Sequence, residues 1–205
     1  MGISDRKERE KEELKATILK AAHDLFLEKG VDKTSIRNIA DKIEYSPGII
    51  YHYFKDKSEI FHALHQQGFS MMNDRMVPLF SVSDPMERLK AMGRNYVDFA
   101  LQNPGMYDLM FIKVTPMDHI QDEGIEKWKE GSQTFNGLRT TIADCIKAGY
   151  FKDQEVEPLA YMVWSTVHGL ASLKIRNRCE VVNPDYQNTI VEQGLECMYD
   201  MIDPS

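Results

Sequence analysis

Cysteines and long apolar runs are both scarce in this sequence. Its 205 residues include only Cys145, Cys179 and Cys197, whose odd number and wide spacing fit neither a disulfide framework nor paired metal ligands. We interpret them as buried thiols in a reducing compartment. The most apolar window, residues 158–175, is shorter than the roughly 20 apolar residues of a membrane span. Residues 1–15 are highly charged and do not have the pattern of a secretory signal. We therefore expect a cytoplasmic protein with no membrane segment.

Signals of catalysis are also missing. No Ser-His-Asp order, paired-cysteine motif or glycine-rich phosphate loop stands out, so we predict no enzymatic activity, no catalytic residue and no cofactor. His62 and His65 lie three residues apart and could bind a metal together with a nearby carboxylate. Two histidines do not make a metal site, so we predict none.

The formal net charge of −7 is distributed unevenly along the chain. Residues 1–57 hold 12 Lys and Arg against 11 Asp and Glu, whereas residues 58–205 hold 13 against 21. An acidic total argues against a protein that nucleic acid covers on all sides, but it permits a small, locally basic head on an acidic body. Whether such a head exists depends on its residues rather than on these totals.

Helix signals run through the whole sequence, and strand signals are almost absent. Residues 8–29 carry apolar side chains at helical spacing and precede Gly30, a pattern that predicts an amphipathic helix. Gly149 indicates another helix end. Three dipeptides pair an N-cap side chain with a proline suited to the first helical position: Asp84-Pro85, Asn103-Pro104 and Asn183-Pro184.

These patterns predict an all-α protein of about nine helices. We find no internal repeat or low-complexity linker. Asp56 and Glu59 form a capping-box-like pair, so we place the domain boundary inside the helix that begins there. The prediction is a three-helix N-terminal domain over residues 1–57, followed by a larger helical domain over residues 58–205.

Two short helices joined by a tight turn stand out in the N-terminal domain. Ser35 can cap a helix over residues 35–43, and Ser46 with Pro47 begins another over residues 46–53. This arrangement is the helix-turn-helix pattern, in which the second helix enters a DNA groove. The pattern therefore predicts DNA binding.

The second of these helices has two distinct faces. Ile50 and Phe54, four residues apart, are expected to face the core of the domain. The outer side then holds Pro47, Gly48, Ile49, Tyr51 and His52. Lys55 and Lys57 follow at the start of the next helix, where backbone amides add partial positive charge that suits a phosphate. Arg37 is expected on the exposed side of the preceding helix.

Residues 34–60, TSIRNIADKIEYSPGIIYHYFKDKSEI, resemble the N-terminal domain of the TetR family of bacterial transcriptional regulators. The resemblance extends from Leu14 to about Leu64. It implies that bases or their methyl groups are contacted by Pro47, Gly48, Ile49 and Tyr51. It also implies phosphate contacts from Ser35, Arg37, His52, Lys55 and Lys57, with Arg37 able to reach a base. Ser46 belongs to the same DNA-binding set.

Two positions depart from that family's pattern. The family usually has glycine in the turn, where this chain has Glu44, and threonine after the glycine of the second helix, where this chain has Ile49. We expect Glu44 to strain the turn or to lie unfavourably close to phosphate. Ile49 offers a methyl contact in place of a hydroxyl, so the operator sequence cannot be copied from relatives.

A second local resemblance lies in the C-terminal domain. Residues 161–173 resemble a C-terminal domain type of this family that is marked by Trp164, His168 and Gly169, and residues 104–111 fit it too. The helices expected over residues 158–176 and 184–202 are apolar on more than one side, so each needs a second surface to bury. We therefore predict a homodimer in which these helices form a four-helix interface and two heads reach major grooves about 34–36 Å apart.

The larger domain also contains aromatic and methionine side chains that could line an effector pocket. They are Phe69, Met72, Met106, Tyr107, Met110, Phe111, Trp128, Trp164 and His168. Such a set also suits an ordinary core. The acidic excess of this domain favours a neutral or cationic, small apolar effector over an anionic one.

We therefore predict a ligand-responsive repressor that binds a palindromic operator in double-stranded DNA as a dimer. Repression, rather than activation, is what the family resemblance implies. The alternative is a helical small-molecule or metal-binding module without DNA activity. DNA binding that weakens with salt and depends on Tyr51 and Lys57 would separate the two.

Overall fold

A computed structural model describes residues 3–112 and 129–202 of the chain. Within these two stretches the protein contains nine α-helices and no strand, which confirms the predicted all-α class. The helices are α1 (Ile3–Lys29), α2 (Ile36–Lys42), α3 (Pro47–Tyr51), α4 (Lys57–Met76), α5 (Pro85–Gln102), α6 (Pro104–Phe111), α7 (Lys129–Lys147), α8 (Val156–Ile175) and α9 (Ile190–Ile202). Short 3₁₀ segments follow α4 at Val77–Ser81 and α8 at Arg178–Val181.

The chain divides into two compact units. The N-terminal unit comprises residues 3–68 and 108–112 of the described chain, and the C-terminal unit comprises residues 69–107 and 129–202. Helix α4 contributes its first part to the N-terminal unit and its remainder to the C-terminal unit. The proposed functional division at residues 57 and 58 stays a prediction.

The N-terminal unit is built around side chains that recur at helical spacing on α1, α2 and α4. Phe26 of α1 and Phe61 of α4 are buried, with ring centroids 5.7 Å apart. Ile39 and Ile50 are completely buried, and Phe54 is nearly so. This burial confirms the predicted inward face of the second short helix, because Ile50 and Phe54 lie one helical turn apart.

Backbone signals end α1 and begin α2 as the sequence predicts. Gly30 adopts a φ of +85°, a left-handed conformation that glycine enters without steric cost. The buried Thr34 hydroxyl then donates to the Gly30 carbonyl oxygen over 2.8 Å. This hydrogen bond stabilises the loop that leads to Ser35, the N-cap of α2.

The C-terminal unit is a helical assembly in which α5 packs against α7 and α8, and α8 packs against α9. Asp84 caps α5 by accepting a hydrogen bond from the Glu87 amide over 2.8 Å, which confirms the predicted Asp84-Pro85 start. Arg88 of α5 is buried but pairs with Asp144 of α7 over 2.5 Å. This ion pair compensates part of the desolvation of the guanidinium.

The structure corrects two expectations. Asn183 does not cap a helix: its side chain accepts from the Asp185 amide over 3.0 Å in a local turn, and α9 begins only at Ile190. The cysteines are not all buried, because Cys145 is buried, Cys179 is half-buried and Cys197 is exposed. In the part of the chain that the structure describes, no helix combines the length and apolarity that crossing a membrane requires.

Candidate functional site

The α2 helix of the candidate DNA-binding site begins with a capping box. The Ser35 hydroxyl accepts from the Asn38 amide over 3.1 Å, and the Asn38 side chain accepts in return from the Ser35 amide over 2.9 Å. These reciprocal bonds satisfy amides that would otherwise lack helical partners. Ser35 and Arg37 are both exposed on the surface of the unit.

The turn between α2 and α3 is closed by two backbone hydrogen bonds that end α2. The Tyr45 amide donates to the Ala40 carbonyl oxygen over 3.0 Å, and the Glu44 amide donates to that of Asp41 over 3.3 Å. This is the Schellman pattern, whose central residue is usually glycine. Glu44 holds that position with a φ of +61°, which a residue with a Cβ adopts only at an energetic cost. The predicted strain at Glu44 is thus present in its backbone.

The outer side of α3 is open to solvent to differing degrees. Gly48, Tyr51 and His52 are exposed, and the Tyr51 side chain retains 57% of its accessible surface. Pro47 and Ile49 are half-buried. Gly48 lies nearly opposite the buried Ile50 around the helix, whereas Ile49 and Tyr51 flank Ile50 and Pro47 lies about one turn before it.

Ser46 precedes α3 but does not cap it with its side chain. Ser46 is exposed, and the backbone amides of this short helix do not engage its hydroxyl. Tyr45, which the sequence analysis did not assign, is also exposed beside it.

The start of α4 differs from the expected phosphate site. Asp56 accepts a hydrogen bond from the Glu59 amide over 2.9 Å, and Glu59 accepts one from the Lys55 amide over 2.5 Å. Two carboxylates thus occupy donors that were expected to meet a phosphate. The Lys57 ammonium group donates to the Val31 carbonyl oxygen over 2.7 Å, so it links α4 to the loop after α1.

The remaining predicted phosphate contacts are placed more openly. Arg37, His52 and Lys55 are all exposed on the N-terminal unit. Their ionic or hydrogen-bonding groups suit phosphate oxygens. The N-terminal unit thus brings an aromatic, apolar and cationic surface together around α3.

The predicted effector residues are not all in one unit. Phe69, Met72, Met106, Tyr107, Trp164 and His168 belong to the C-terminal unit, whereas Met110 and Phe111 belong to the N-terminal unit. Trp128 lies outside the described residues. Phe69, Met72 and Tyr107 are almost fully buried, while Trp164 and His168 are half-buried. The buried members serve as core, and the half-buried pair remains the more accessible part of the set.

A polar cluster links α5, α6 and α8 inside the C-terminal unit. The hydroxyl oxygens of Tyr96 and Tyr107 each lie 2.9 Å from Nδ1 of His168. The Tyr107 hydroxyl also lies 3.2 Å from the His168 carbonyl oxygen. The roles depend on the tautomer of His168: Nδ1 accepts from a tyrosine hydroxyl when it is unprotonated, and it donates to a hydroxyl oxygen when it carries the proton. Tyr96 was not assigned from the sequence, since it lies 72 residues from its partner.

Burial keeps this cluster uncharged. Burial, followed by the nearby charge of Arg176, lowers the pKa of His168. Burial also raises the pKa of Tyr96 well above its ordinary range, and Tyr107 raises it further. The cluster therefore offers neutral hydroxyl and imidazole groups near neutral pH.

Aromatic side chains continue from this cluster toward the surface of the C-terminal unit. The Trp164 ring centroid lies 6.1 Å from that of His168, 5.6 Å from that of Phe135 and 6.0 Å from that of Tyr161. Tyr161 is 61% exposed. These side chains give the neutral cluster apolar surroundings, which is the usual composition of a small-molecule site.

Among residues 3–112 and 129–202, no group of three or more His, Cys, Asp and Glu side chains is arranged to hold a metal ion. His65, one of the two histidines considered for such a site, is almost fully buried in the N-terminal unit. The described geometry therefore gives no support to a metal-binding role for this pair.

Two family models match most of the chain. Residues 18–64 match the model described as bacterial regulatory proteins of the tetR family. Residues 89–198, more than half of the chain, match the model described as the tetracyclin repressor-like C-terminal domain.

Individual relatives are more distant. The chain is 26% identical over 102 residues to the Transposon Tn10 TetC protein of Escherichia coli, covering 48% of this chain and 52% of that protein. It is 23% identical over 159 residues to the HTH-type transcriptional repressor AcnR of Corynebacterium glutamicum, covering 76% and 78%, respectively. The first of these alignments shows that the chain spans about half the length of some curated relatives that it matches.

The fold is also shared with solved structures. The TetR family transcriptional regulator PfmR from Thermus thermophilus aligns with a TM-score of 0.67 and 21% sequence identity, covering 90% of this chain and 96% of that one. Since identity is low, this likeness concerns the arrangement of helices only.

Proposed function

This chain belongs to the TetR family of bacterial regulatory proteins, and from that premise we propose that it is a dimeric, ligand-responsive repressor of transcription. The N-terminal unit would bind operator DNA, and the C-terminal unit would pair two copies and bind an effector. The observation that carries the proposal is the exposure of Gly48, Tyr51 and His52 on and directly after α3, while Ile50 of the same helix is completely buried.

The DNA contact would be made mainly through the surface around α3. Tyr51, Gly48 and the half-buried Ile49 would contact base edges and thymine methyl groups in the major groove. Arg37 and Lys55 are exposed and would contact phosphates. Ser35, Ser46, Pro47 and His52 complete this proposed surface. Lys57 would act mainly by holding α4 to the Val31 carbonyl, and only secondarily as a phosphate contact.

Dimerisation is supported by apolar residues that the chain leaves exposed on its last helices. Tyr161, Met162 and Leu173 of α8 are exposed, and so is Met201 of α9. Burying such side chains against a second copy would remove apolar surface from water. A two-fold dimer would present two α3 helices to the two halves of a palindromic operator.

The effector would bind near the half-buried Trp164 and His168. Neutral hydroxyl and imidazole groups surrounded by aromatic rings suit a small, largely apolar and uncharged molecule. Such a molecule would change DNA affinity only if it bound differently to the DNA-competent and DNA-incompetent conformations. The proposal places this regulator in the cytoplasm, where operator DNA is accessible.

DNA binding can be tested with a duplex of about 40 base pairs, selected by the wild-type protein from a random-sequence pool and labelled for fluorescence anisotropy. Tyr51→Ala should weaken binding roughly 5- to 100-fold because it removes a contact in the groove. The melting temperature should be unchanged, since the side chain is exposed. Tyr186→Ala, at a similarly exposed tyrosine of the C-terminal unit, is the matched control and should bind normally.

Failure of the wild-type protein to enrich any duplex would refute the proposal and favour a helical binding module without DNA activity. Equal affinity of the Tyr51→Ala and wild-type proteins would instead refute the role of α3. Because the two results differ, the experiment separates the general function from the assignment of its surface.

A further inference from the structure

The side of α8 that faces away from the core of the C-terminal unit has Gly169 at its centre. With 3.6 residues per turn, the side chains within roughly 60° of Gly169 include Met162, Ser165, Thr166 and Leu173. Together with Gly169 they form what we call the outward α8 face. Met162 is 41% exposed and Leu173 is 53% exposed. The completely buried Ala160 and Ala171 lie on the opposite side of the helix.

Packing among residues 3–112 and 129–202 does not account for the glycine at position 169. A Cβ added there would meet no atom within 4 Å. In contrast, a Cβ at Gly93 would overlap the Tyr199 hydroxyl, and one at Gly194 would lie 2.9 Å from a methyl carbon of Leu170. Glycine inside a helix costs about 1 kcal/mol relative to alanine. Packing in the described part of one copy thus explains Gly93 and Gly194 but not Gly169.

The hydroxyl groups on the outward α8 face are already hydrogen-bonded within the helix. Ser165 donates to the Tyr161 carbonyl oxygen over 2.7 Å, and Thr166 donates to the Met162 carbonyl oxygen over 3.0 Å. These bonds leave methyl and methylene groups to face outward. An apolar surface can therefore cover this face without leaving a buried hydroxyl donor that lacks an acceptor.

The charge pattern favours a second copy of this chain as the occupant. Residues 158–173 contain no Asp, Glu, Lys or Arg. In a two-fold interface each residue near the axis meets its own copy, so a charged residue there would face a like charge. The outward α8 face avoids that repulsion, although the chain as a whole carries a formal charge of −7.

We propose that two copies of α8 cross at Gly169, with the outward α8 faces in dry contact. The inference rests on the dimer proposed above and adds its point of closest approach. A missing side chain at the crossing lets the two backbones come closer than the 8–10 Å that is usual between packed helices. Met162, two turns before Gly169, and Leu173, one turn after it, then pack against the partner helix.

Sedimentation across a dilution series tests the crossing. Gly169→Ala should raise the dimer dissociation constant, and Gly169→Leu should raise it roughly tenfold or more, because added bulk separates the two helices. Gly169→Ala should not unfold the protein, since alanine favours the helix and meets nothing in its own chain. Gly93→Ala is the control for bulk that collides inside one copy, since its Cβ would overlap the buried Tyr199 hydroxyl, and it should lower the melting temperature instead.

Crosslinking tests the position directly. In a Cys197→Ser background, which removes the exposed native thiol, Gly169→Cys should form a dimer-sized disulfide product when diamide accepts the two electrons from the paired thiols. A disulfide requires Cβ atoms about 3.5–4.5 Å apart, so only residues near the axis can react quickly. Tyr161→Cys lies about 80° around the helix from Gly169 and should crosslink slowly.

The outcomes distinguish this inference from the proposed dimer itself. A wild-type protein that sediments as a monomer at all concentrations would refute both. A wild-type dimer that tolerates Gly169→Leu, with no preferential crosslink for Gly169→Cys, would refute the crossing and leave the dimer standing. A weakened Gly169→Leu dimer together with rapid crosslinking for Gly169→Cys is the result that supports it.

Discussion

The strained turn between α2 and α3 can be relieved by a single substitution. Glu44 has a φ of +61° in the position where a Schellman turn normally has glycine. A left-handed conformation costs a residue with a Cβ about 1–2 kcal/mol. Glu44→Gly removes this cost, but glycine raises the conformational entropy of the unfolded chain, which lowers the free energy of unfolding by roughly 0.4–1 kcal/mol. We therefore expect a net stabilisation of about 0.5–1 kcal/mol, or about 1–4 °C in melting temperature for a chain of this size.

The same substitution should strengthen DNA binding for a different reason. Glu44 is exposed in the turn that precedes α3, so its negative charge would lie close to the phosphate backbone. At an assumed separation of about 10 Å in water, the repulsion is roughly 0.4 kcal/mol for each copy, so a dimer with two Glu44 residues should change its affinity about fourfold. This gain should shrink as salt is added, because exposed charges are screened.

Glu44→Gln is the matched control, since it removes the charge and keeps the side chain. Thermal unfolding should show stabilisation in Glu44→Gly but not in Glu44→Gln, whereas anisotropy titrations should show tighter DNA binding in both. Glu44→Asn should be stabilised partly, because asparagine tolerates the left-handed region. If glutamine stabilises the protein as much as glycine does, charge rather than backbone strain controls the stability of this turn.

Three further results are expected. Lys57→Met should lower the melting temperature because it breaks the bond to the Val31 carbonyl. Lys55→Met should keep stability and reduce the salt slope of DNA binding by about 2, since each copy of the dimer loses one phosphate contact. Equal behaviour of the two variants would contradict these roles. Gly93→Ala should destabilise the C-terminal unit by roughly 1–3 kcal/mol in chemical denaturation, because the added methyl group overlaps the Tyr199 hydroxyl. Combining it with Tyr199→Phe, which removes that hydroxyl, should restore part of the lost stability. Since the folded-state pKa of His168 is lowered, the contribution of this residue to stability should be complete above a pH of about 6.5 and should decline as the pH falls below that value. His168→Asn should flatten this decline in melting temperature. An unchanged pH profile of the variant would contradict the prediction.

Local sequence patterns predicted the short elements around α3 well. Ile50 and Phe54 are buried as their spacing implied, and Asp84 caps α5 as its place before proline implied. In both cases the sequence pattern that allowed the prediction lies within one or two helical turns. The same reasoning could have placed Cys197 on the surface, because the buried Leu195 and Met198 define the inner side of α9.

Long-range contacts and competing local turns explain what the sequence analysis missed. Lys57 binds a carbonyl 26 residues earlier in the chain, and Tyr96 meets His168 across 72 residues. No periodic pattern records such pairings. Asn183 has the features of an N-cap, but its side chain is satisfied within the turn by the Asp185 amide, which is the local competition that short polar side chains offer.

The carbonyl-bound Lys57 has a consequence for how the protein would search a genome. Of the lysines and arginines in the proposed DNA surface, it leaves Arg37 and Lys55 exposed for phosphate. A dimer with about four such contacts would release few counterions, and its hold on random DNA would be weak and brief. Such a protein would find its operator mainly by repeated collisions from solution, with little sliding along the duplex.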